Sequence, residues 1–254
     1  MRRDQIALQL YTVREAAGKD FVGTLKRVAD MGYPAVEFAG FGGLAAADLR
    51  ARLDEFGLKA PAAHIPYASL VDDAAAATAD LATLGTEYAI VPFIGNEHRE
   101  SVDAAKRFAA SLNPIAKTVT DAGLKFAYHN HDFEFRPIPD GSGKTMWEIL
   151  QAETDPATVA FELDIYWVAY GGGDALAILQ ANPARYPLLH FKDMTGEGDA
   201  RRDAPVGEGT VDWGPFLTAS EGTSHWFIVE QDTPDDAFPD VERSLRAMEK
   251  LASS

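Results

Sequence analysis

A chain of 254 residues with 46% hydrophobic residues carries enough apolar material for one sizeable core, and single α/β barrels run to about 250 residues. The formal net charge of -16 argues against nucleic acid as a partner, because binding a phosphate backbone requires a basic face that releases counterions. With no cysteine, a disulfide framework, a thiolate nucleophile and a thiolate-held zinc are all excluded.

No apolar run reaches the roughly 18 residues that a membrane span requires, so no membrane partner is expected. The opening MRRDQIALQLYTVRE has no apolar segment long enough for a signal peptide, which makes a cytoplasmic protein the expectation.

The chain opens with a predicted strand, IALQLYTV at 6–13, and an amphipathic helix from Asp20 to Met31 with Phe21, Leu25 and Val28 on one face and Gly32 as its stop. A second strand, PAVEF at 34–38, passes through AGFGG into the helix AAADLRARLDEF, closed by Gly57. The third strand, LKAPAAHI, ends near His64 and leads into an alanine-rich helix from about Ser69 to Leu84. YAIVPFI at 88–94 is the fourth strand, followed by a helix from about Glu100 to Asp121 in which Asn113-Pro114 predicts a kink or break.

LKFAYHN is the fifth strand, followed by a polar loop and a short helix over Met146–Ala152. VAFELDI is the sixth, with a helix from Asp174 to Ala181, and PLLHFKD is the seventh, followed by an irregular stretch from Thr195 to Gly209. A helix from Trp213 to Ser220 precedes the eighth strand, WFIVEQD, and a last helix spans Asp240 to Leu251. Eight strand–helix alternations without a linker predict right-handed parallel crossovers closing into a (β/α)8 TIM barrel, a single domain over residues 1–254. GFGG lacks the full dinucleotide pattern, and no GK[ST] phosphate loop competes with the barrel.

In such barrels the chemistry lies at the C-terminal ends of the strands. Strands six, seven and eight end at Asp164, His190 and Glu230, close enough on neighbouring strands to meet on one cation. Carboxylate and imidazole donors without thiolates suit Mn, Mg, Co or Zn. For a fourth ligand on strand five, Glu134 is the carboxylate candidate, while His129 and His131 sit closer to the strand. Taken singly, an Asp or Glu at a strand end is more often a helix cap or a solvated loop residue, and Asp193 and Asp232 are assigned to that class.

QLYTVR (9–14), GYPAVEF (32–38), AAHIPY (62–67), YHNHDFEF (128–135), FELDIYW (161–167), LLHFKDM (188–194), VGEGTVDW (206–213) and FIVEQD (227–232) cover essentially the whole chain. Together they resemble the xylose-isomerase-like TIM barrels, the sugar phosphate isomerase/epimerase group that includes ketose 3-epimerases and inosose dehydratase. The resemblance implies one divalent metal held by Asp164, His190, Glu230 and a strand-five group. His129 stands where epimerases have that glutamate; Glu134, five residues on, is taken as the ligand, with His129 and His131 contacting substrate. Trp167 stands near the place where ketose epimerases have a substrate-binding histidine, Glu208 lies in a segment that resembles the family's substrate-covering one, and both are assigned to substrate. His64 is assigned to substrate and Lys192 to an oxyanion.

The activity implied is metal-dependent isomerisation or epimerisation of a sugar or keto-sugar through an enediolate, with Glu230 and the strand-five group exchanging a proton. Lyase or dehydratase chemistry on a keto-sugar, keto-glycoside or cyclitol is the alternative, since a strand-five imidazole can act as an acid near neutral pH. A non-catalytic sugar-binding barrel is the alternative of another class. The partner expected is a small carbohydrate, and the resemblance also carries the expectation of a homodimer.

Overall fold

The computed structural model describes residues 1–253. Strands β1 (Ile6–Gln9), β2 (Ala35–Phe38), β3 (Lys59–His64), β4 (Tyr88–Val91), β5 (Lys125–His129), β6 (Val159–Asp164), β7 (Leu188–Phe191) and β10 (Trp226–Val229) close into a parallel barrel in the order β1-β10-β7-β6-β5-β4-β3-β2. The predicted (β/α)8 barrel is thus the observed fold. Two further short strands, β8 (Asp193–Thr195) and β9 (Arg202–Ala204), pair antiparallel outside it.

A parallel barrel strand is buried on both sides, against helices outside and other strands inside, so its residues alternate between two cores. Ile6, Leu8, Val36, Phe38, Phe126 and Phe161 pack outward in the large cluster beneath the helices. Ala7, Ala35, Ala62, Ala127, Leu188 and Ile228 form a second cluster, the barrel's own filling. Alanine on four of these strands leaves room for the bulky Tyr88 and Trp226 in the same cluster.

Helix boundaries follow local signals. Asp20 caps the helix Phe21–Met31 by accepting from the Gly23 amide at 2.8 Å, and Gly32 ends it with φ 104, a backbone that L side chains rarely adopt. Three expectations are corrected. Pro114 makes no break: it lies inside one continuous helix, Val102–Asp121. The carbonyl left without its amide partner belongs to Ala110, an exposed residue. The alanine-rich segment instead divides into Tyr67–Thr78 and Leu81–Leu84, with Asp73 non-helical at φ -160 and its Oδ1 accepting from the Ala76 amide. The irregular segment after β7 is organised by Asp193, which accepts from the amides of Met194 (2.8 Å), Gly207 (2.8 Å) and Val211 (3.1 Å) and from Trp213 Nε1 (3.2 Å). Asp193 is buried, not a solvated loop residue.

Candidate active site

The inward alternation continues one step past the alanine layer, and there it turns polar. Two residues beyond Ala7, Ala35, Ala62 and Ala127 stand Gln9, Glu37, His64 and His129. Two beyond Ala160 stands Glu162 and then Asp164; two beyond Leu188, His190 and then Lys192; two beyond Ile228, Glu230 and then Asp232. A strand period of two therefore stacks these side chains in successive inward layers at the C-terminal mouth. The register aligns them further, pairing His129 with Glu162, Asp164 with His190 and Gln9 with Glu37.

His190 is the centre of these layers. Its Nδ1 lies 3.0 Å from Glu230 Oε2 and 3.8 Å from Asp164 Oδ2, while its Nε2 lies 2.8 Å from Glu37 Oε2 and 3.1 Å from Glu162 Oε2. Glu162 Oε2 also stands 3.0 Å from His129 Nδ1 and 3.0 Å from His64 Nε2. Burial works against a charged His190, but Glu162, Glu230 and Glu37 overturn it and hold the imidazolium well above its usual pKa. Burial likewise opposes ionisation of Glu162, and the surrounding histidines prevail, keeping it well below the carboxylate range. Glu37 is pushed up to about 7 by burial and by the charge of Glu162.

On the other side stands Lys192, fully buried, with Nζ 3.1 Å from Asp164 Oδ2, 3.0 Å from Glu230 Oε2 and in contact with Asp232 Oδ2. It is therefore no surface lysine. Asp232, assigned above to a cap or loop, is instead its ion-pair partner. Despite burial, these three carboxylates hold Lys192 protonated, well above its ordinary pKa. Asp164 has two duties: Oδ1 caps the helix Ile165–Tyr170 by accepting from the Trp167 amide at 2.8 Å, and Oδ2 receives no hydrogen bond. Burial pushes its carboxyl up to about 6 against the pull of Lys192.

Two groups of four side chains have donor atoms within 4.8 Å of one another: His129, Asp164, His190 and Glu230, and deeper, His64, His129, Glu162 and His190. Three of the four predicted ligands thus meet. Glu134 belongs to neither group: it is buried with Oε1 accepting from Tyr128 Oη at 2.5 Å and Oε2 from the His131 amide at 2.9 Å. His129 is the strand-five side chain that joins the cluster. Glu208 is also elsewhere, on the exposed surface, accepting from Arg243 Nε at 2.7 Å.

His64, His129, His131, Glu230 and Asp232 face a cavity of about 690 Å³. Its other walls are largely apolar and aromatic, including Tyr11, Phe41 and Phe93, and no Arg or Lys is among its described lining residues. Trp167 packs on His131 with ring centroids 5.5 Å apart, and His131 Nδ1 and Trp167 Nε1 are buried without a hydrogen-bond partner. Sequence reasoning overlooked Gln9 and Glu37 and the central place of Glu162. The available signal was a polar residue inside an otherwise apolar parallel strand, which has only the barrel interior to face.

A model of the xylose isomerase-like TIM barrel matches residues 25–251. The chain belongs to that family. An inosose dehydratase of Lactiplantibacillus plantarum is 31% identical over 116 residues, which cover 44% of this chain and 36% of the relative, so the match spans about a third of that relative's length. A sugar phosphate isomerase/epimerase from Parabacteroides distasonis ATCC 8503 has a similar structure, with TM-score 0.82 and 25% identity over 96% of this chain and 97% of that one. The IOLI protein, solved with a zinc atom, shares the fold at TM-score 0.74 and 16% identity over 98% of both chains. The xylose isomerase-like family thus includes isomerases/epimerases and dehydratases, and no helix among the described residues is long and apolar enough to cross a membrane.

Proposed function

We propose that this protein is a divalent-metal-dependent enzyme that moves a proton on the carbon beside a carbonyl of a keto-sugar or cyclitol. The observation that carries this reading is the buried set His129, Asp164, His190 and Glu230, whose donor atoms lie within 4.8 Å of one another and of which His129 and Glu230 line the cavity. The donor set fits a cation. Asp164 Oδ2 is buried without a hydrogen bond, and the five carboxylates Glu37, Glu162, Asp164, Glu230 and Asp232 share Lys192 and the His190 imidazolium as counter-charges. Buried carboxylates in excess of their counter-charges cost several kcal/mol each, so a bound divalent ion relieves the site.

Oxygen and imidazole donors suit Mn, Mg, Co or Zn, and the likeness to the IOLI protein, solved with a zinc atom, supports a divalent metal. When bound, the ion supplies Lewis acidity toward a carbonyl oxygen. Glu230, which Lys192 and His190 keep ionised against burial, lines the cavity beside Asp232 and serves as base. His131, neutral because burial holds it well below its ordinary pKa, offers an unpartnered Nδ1 to a substrate hydroxyl. Lys192 holds Glu230, Asp164 and Asp232 in place, and Tyr11 and Phe93 supply faces on which a sugar ring can stack.

Isomerisation or epimerisation, in which the proton returns to carbon, is the first reading, supported by the likeness to a sugar phosphate isomerase/epimerase. One observation favours β-elimination as the second. His129, held neutral with its pKa drawn down to about 4 chiefly by burial, stands in the cluster where a second carboxylate would return the proton. The inosose dehydratase relative supports the same outcome.

The test is incubation of the metal-loaded protein with ketoses and inososes in D2O, followed by NMR. Deuterium incorporation beside the carbonyl is expected, and Asp164→Asn should abolish it. A new epimer or an aldose–ketose pair supports the first reading, while loss of a hydroxyl to an unsaturated or diketone product supports the second. Sugar binding without exchange of any carbon-bound proton would sink both and leave a sugar-binding barrel.

A further inference from the structure

We infer that Glu162 is a positioning residue that sets the proton of three imidazoles at once, and so decides which nitrogens of His129 and His190 are presented to the cation. This rests on the metal-site reading above.

Glu162 Oε2 stands 3.0 Å from His64 Nε2, 3.0 Å from His129 Nδ1 and 3.1 Å from His190 Nε2. One fully buried carboxylate oxygen that meets three ring nitrogens serves as their common acceptor, so each facing nitrogen carries the hydrogen. His64 Nδ1, left with its lone pair, is the ring nitrogen nearer the Gln9 Nε2 donor, at 3.3 Å against 3.5 Å for Nε2. The same Gln9 amide donates to Glu37 Oε2 at 2.9 Å, and His190 Nε2 has that oxygen as a second acceptor at 2.8 Å.

The consequence lies on the far side of each ring. With Nδ1 protonated, His129 presents the lone pair of Nε2. With Nε2 turned to Glu162, His190 turns Nδ1 to Glu230 Oε2 at 3.0 Å and to Asp164 Oδ2 at 3.8 Å, the two carboxylates of the ligand set, which makes this the ligand face. A metal-ligating histidine commonly donates its other N–H to a carboxylate, and here a single carboxylate does so for two ligands and one neighbour. The deeper group of four therefore needs no second ion: protons satisfy it. Period two joins the two duties within β6, since Glu162 and Asp164 point the same way one layer apart.

The experiment has two arms, run on the full chain. In the first, Mn2+ and Co2+ are titrated against a chelator into metal-free wild type, Asp164→Asn and Glu162→Gln, with thermal melting of each as a folding control. One equivalent in wild type, loss in Asp164→Asn and binding weakened about 10- to 100-fold in Glu162→Gln, with a changed Co2+ spectrum and a native melting transition, is the expected result. Unchanged affinity in Glu162→Gln overturns the assignment while leaving the metal site standing. Two equivalents in wild type, with one lost in Glu162→Gln, overturns it too, by making Glu162 a ligand.

The second arm needs no metal: long-range 1H–15N NMR of the imidazoles in the metal-free protein. His129 is expected as the Nδ1–H tautomer in wild type and as a mixture in Glu162→Gln. An Nε2–H tautomer of His129 in wild type overturns the inference whatever the metal result. If wild type binds no ion yet His129 shows the expected tautomer, the metal-site reading fails and the hydrogen-bond role of Glu162 stands.

Discussion

Lys192 Nζ lies 3.0 Å from Glu230 Oε2, with both side chains out of solvent just past the ends of neighbouring strands β7 and β10. The same ammonium serves Asp164 and Asp232, so three carboxylates share one lysine. Lys192→Met is expected to destabilise the metal-free protein by about 3–5 kcal/mol in urea unfolding, the usual cost of removing one partner from a buried ion pair. Added Mn2+ should restore part of that loss, because an ion bound only by the native state shifts the equilibrium toward it. A loss below about 1 kcal/mol would mean that these carboxylates do not rely on the lysine.

Metal content should separate the strand-five candidates. Asp164→Asn and His190→Ala are expected to lose the ion, and His129→Ala to bind it more weakly. Glu134→Gln should retain a full equivalent, because Tyr128 and the His131 amide already occupy its two oxygens. Loss in Glu134→Gln together with retention in His129→Ala would return the ligand role to Glu134.

Glu134 also predicts a pH dependence. Burial, outweighing the hydrogen bond from Tyr128, raises its pKa from 4.5 to about 7. The folded protein then binds the proton more tightly than the unfolded chain does. Its contribution is full below about pH 4.5 and is lost as pH rises through about 7, by up to about 3 kcal/mol. The stability of wild type measured against Glu134→Gln should fall accordingly between those limits. A difference that stays level with pH would show that Glu134 is ionised throughout.

Phe93 and Tyr11 are 51% and 42% exposed at the cavity rim. Phe93→Ala or Tyr11→Ala should leave the unfolding free energy within about 0.5 kcal/mol of wild type. If the rings stack on the sugar, each change should raise KM by roughly 3- to 10-fold with little effect on kcat. Unchanged KM in both variants would remove the rings from the binding surface.

Asp193 gives a contrasting case, charged and adjacent to Lys192 yet bonded only to structure. Asp193→Ala should cost about 3 kcal/mol or more, since it strands three amides and the Trp213 indole N–H, while metal content stays at the wild-type level. Metal loss without unfolding would place it in the site after all.

The barrel itself was legible in the chain because eight short apolar runs alternating with helical periodicities admit few other parallel arrangements. Asp164, His190 and Glu230 were legible for a related reason: each closes its strand, and strand ends in a barrel share a rim. The choice between Glu134 and His129 was not. Both are polar groups near the end of β5, and only the three-dimensional path after the strand turns Glu134 toward Tyr128 and away from the cluster.

Asp193, Lys192 and Asp232 make the same point. Local sequence allows each to be solvated or buried, since a charged residue at a strand end is compatible with both. Which side chains share a counter-charge depends on distances across strands far apart in the chain, such as the 153 residues between Glu37 and His190. The sequence alone determined the period that sends a polar layer to one end of the barrel. Tertiary structure decided how that layer pairs, because charge pairing follows separation in space, where a fraction of an ångström selects the partner.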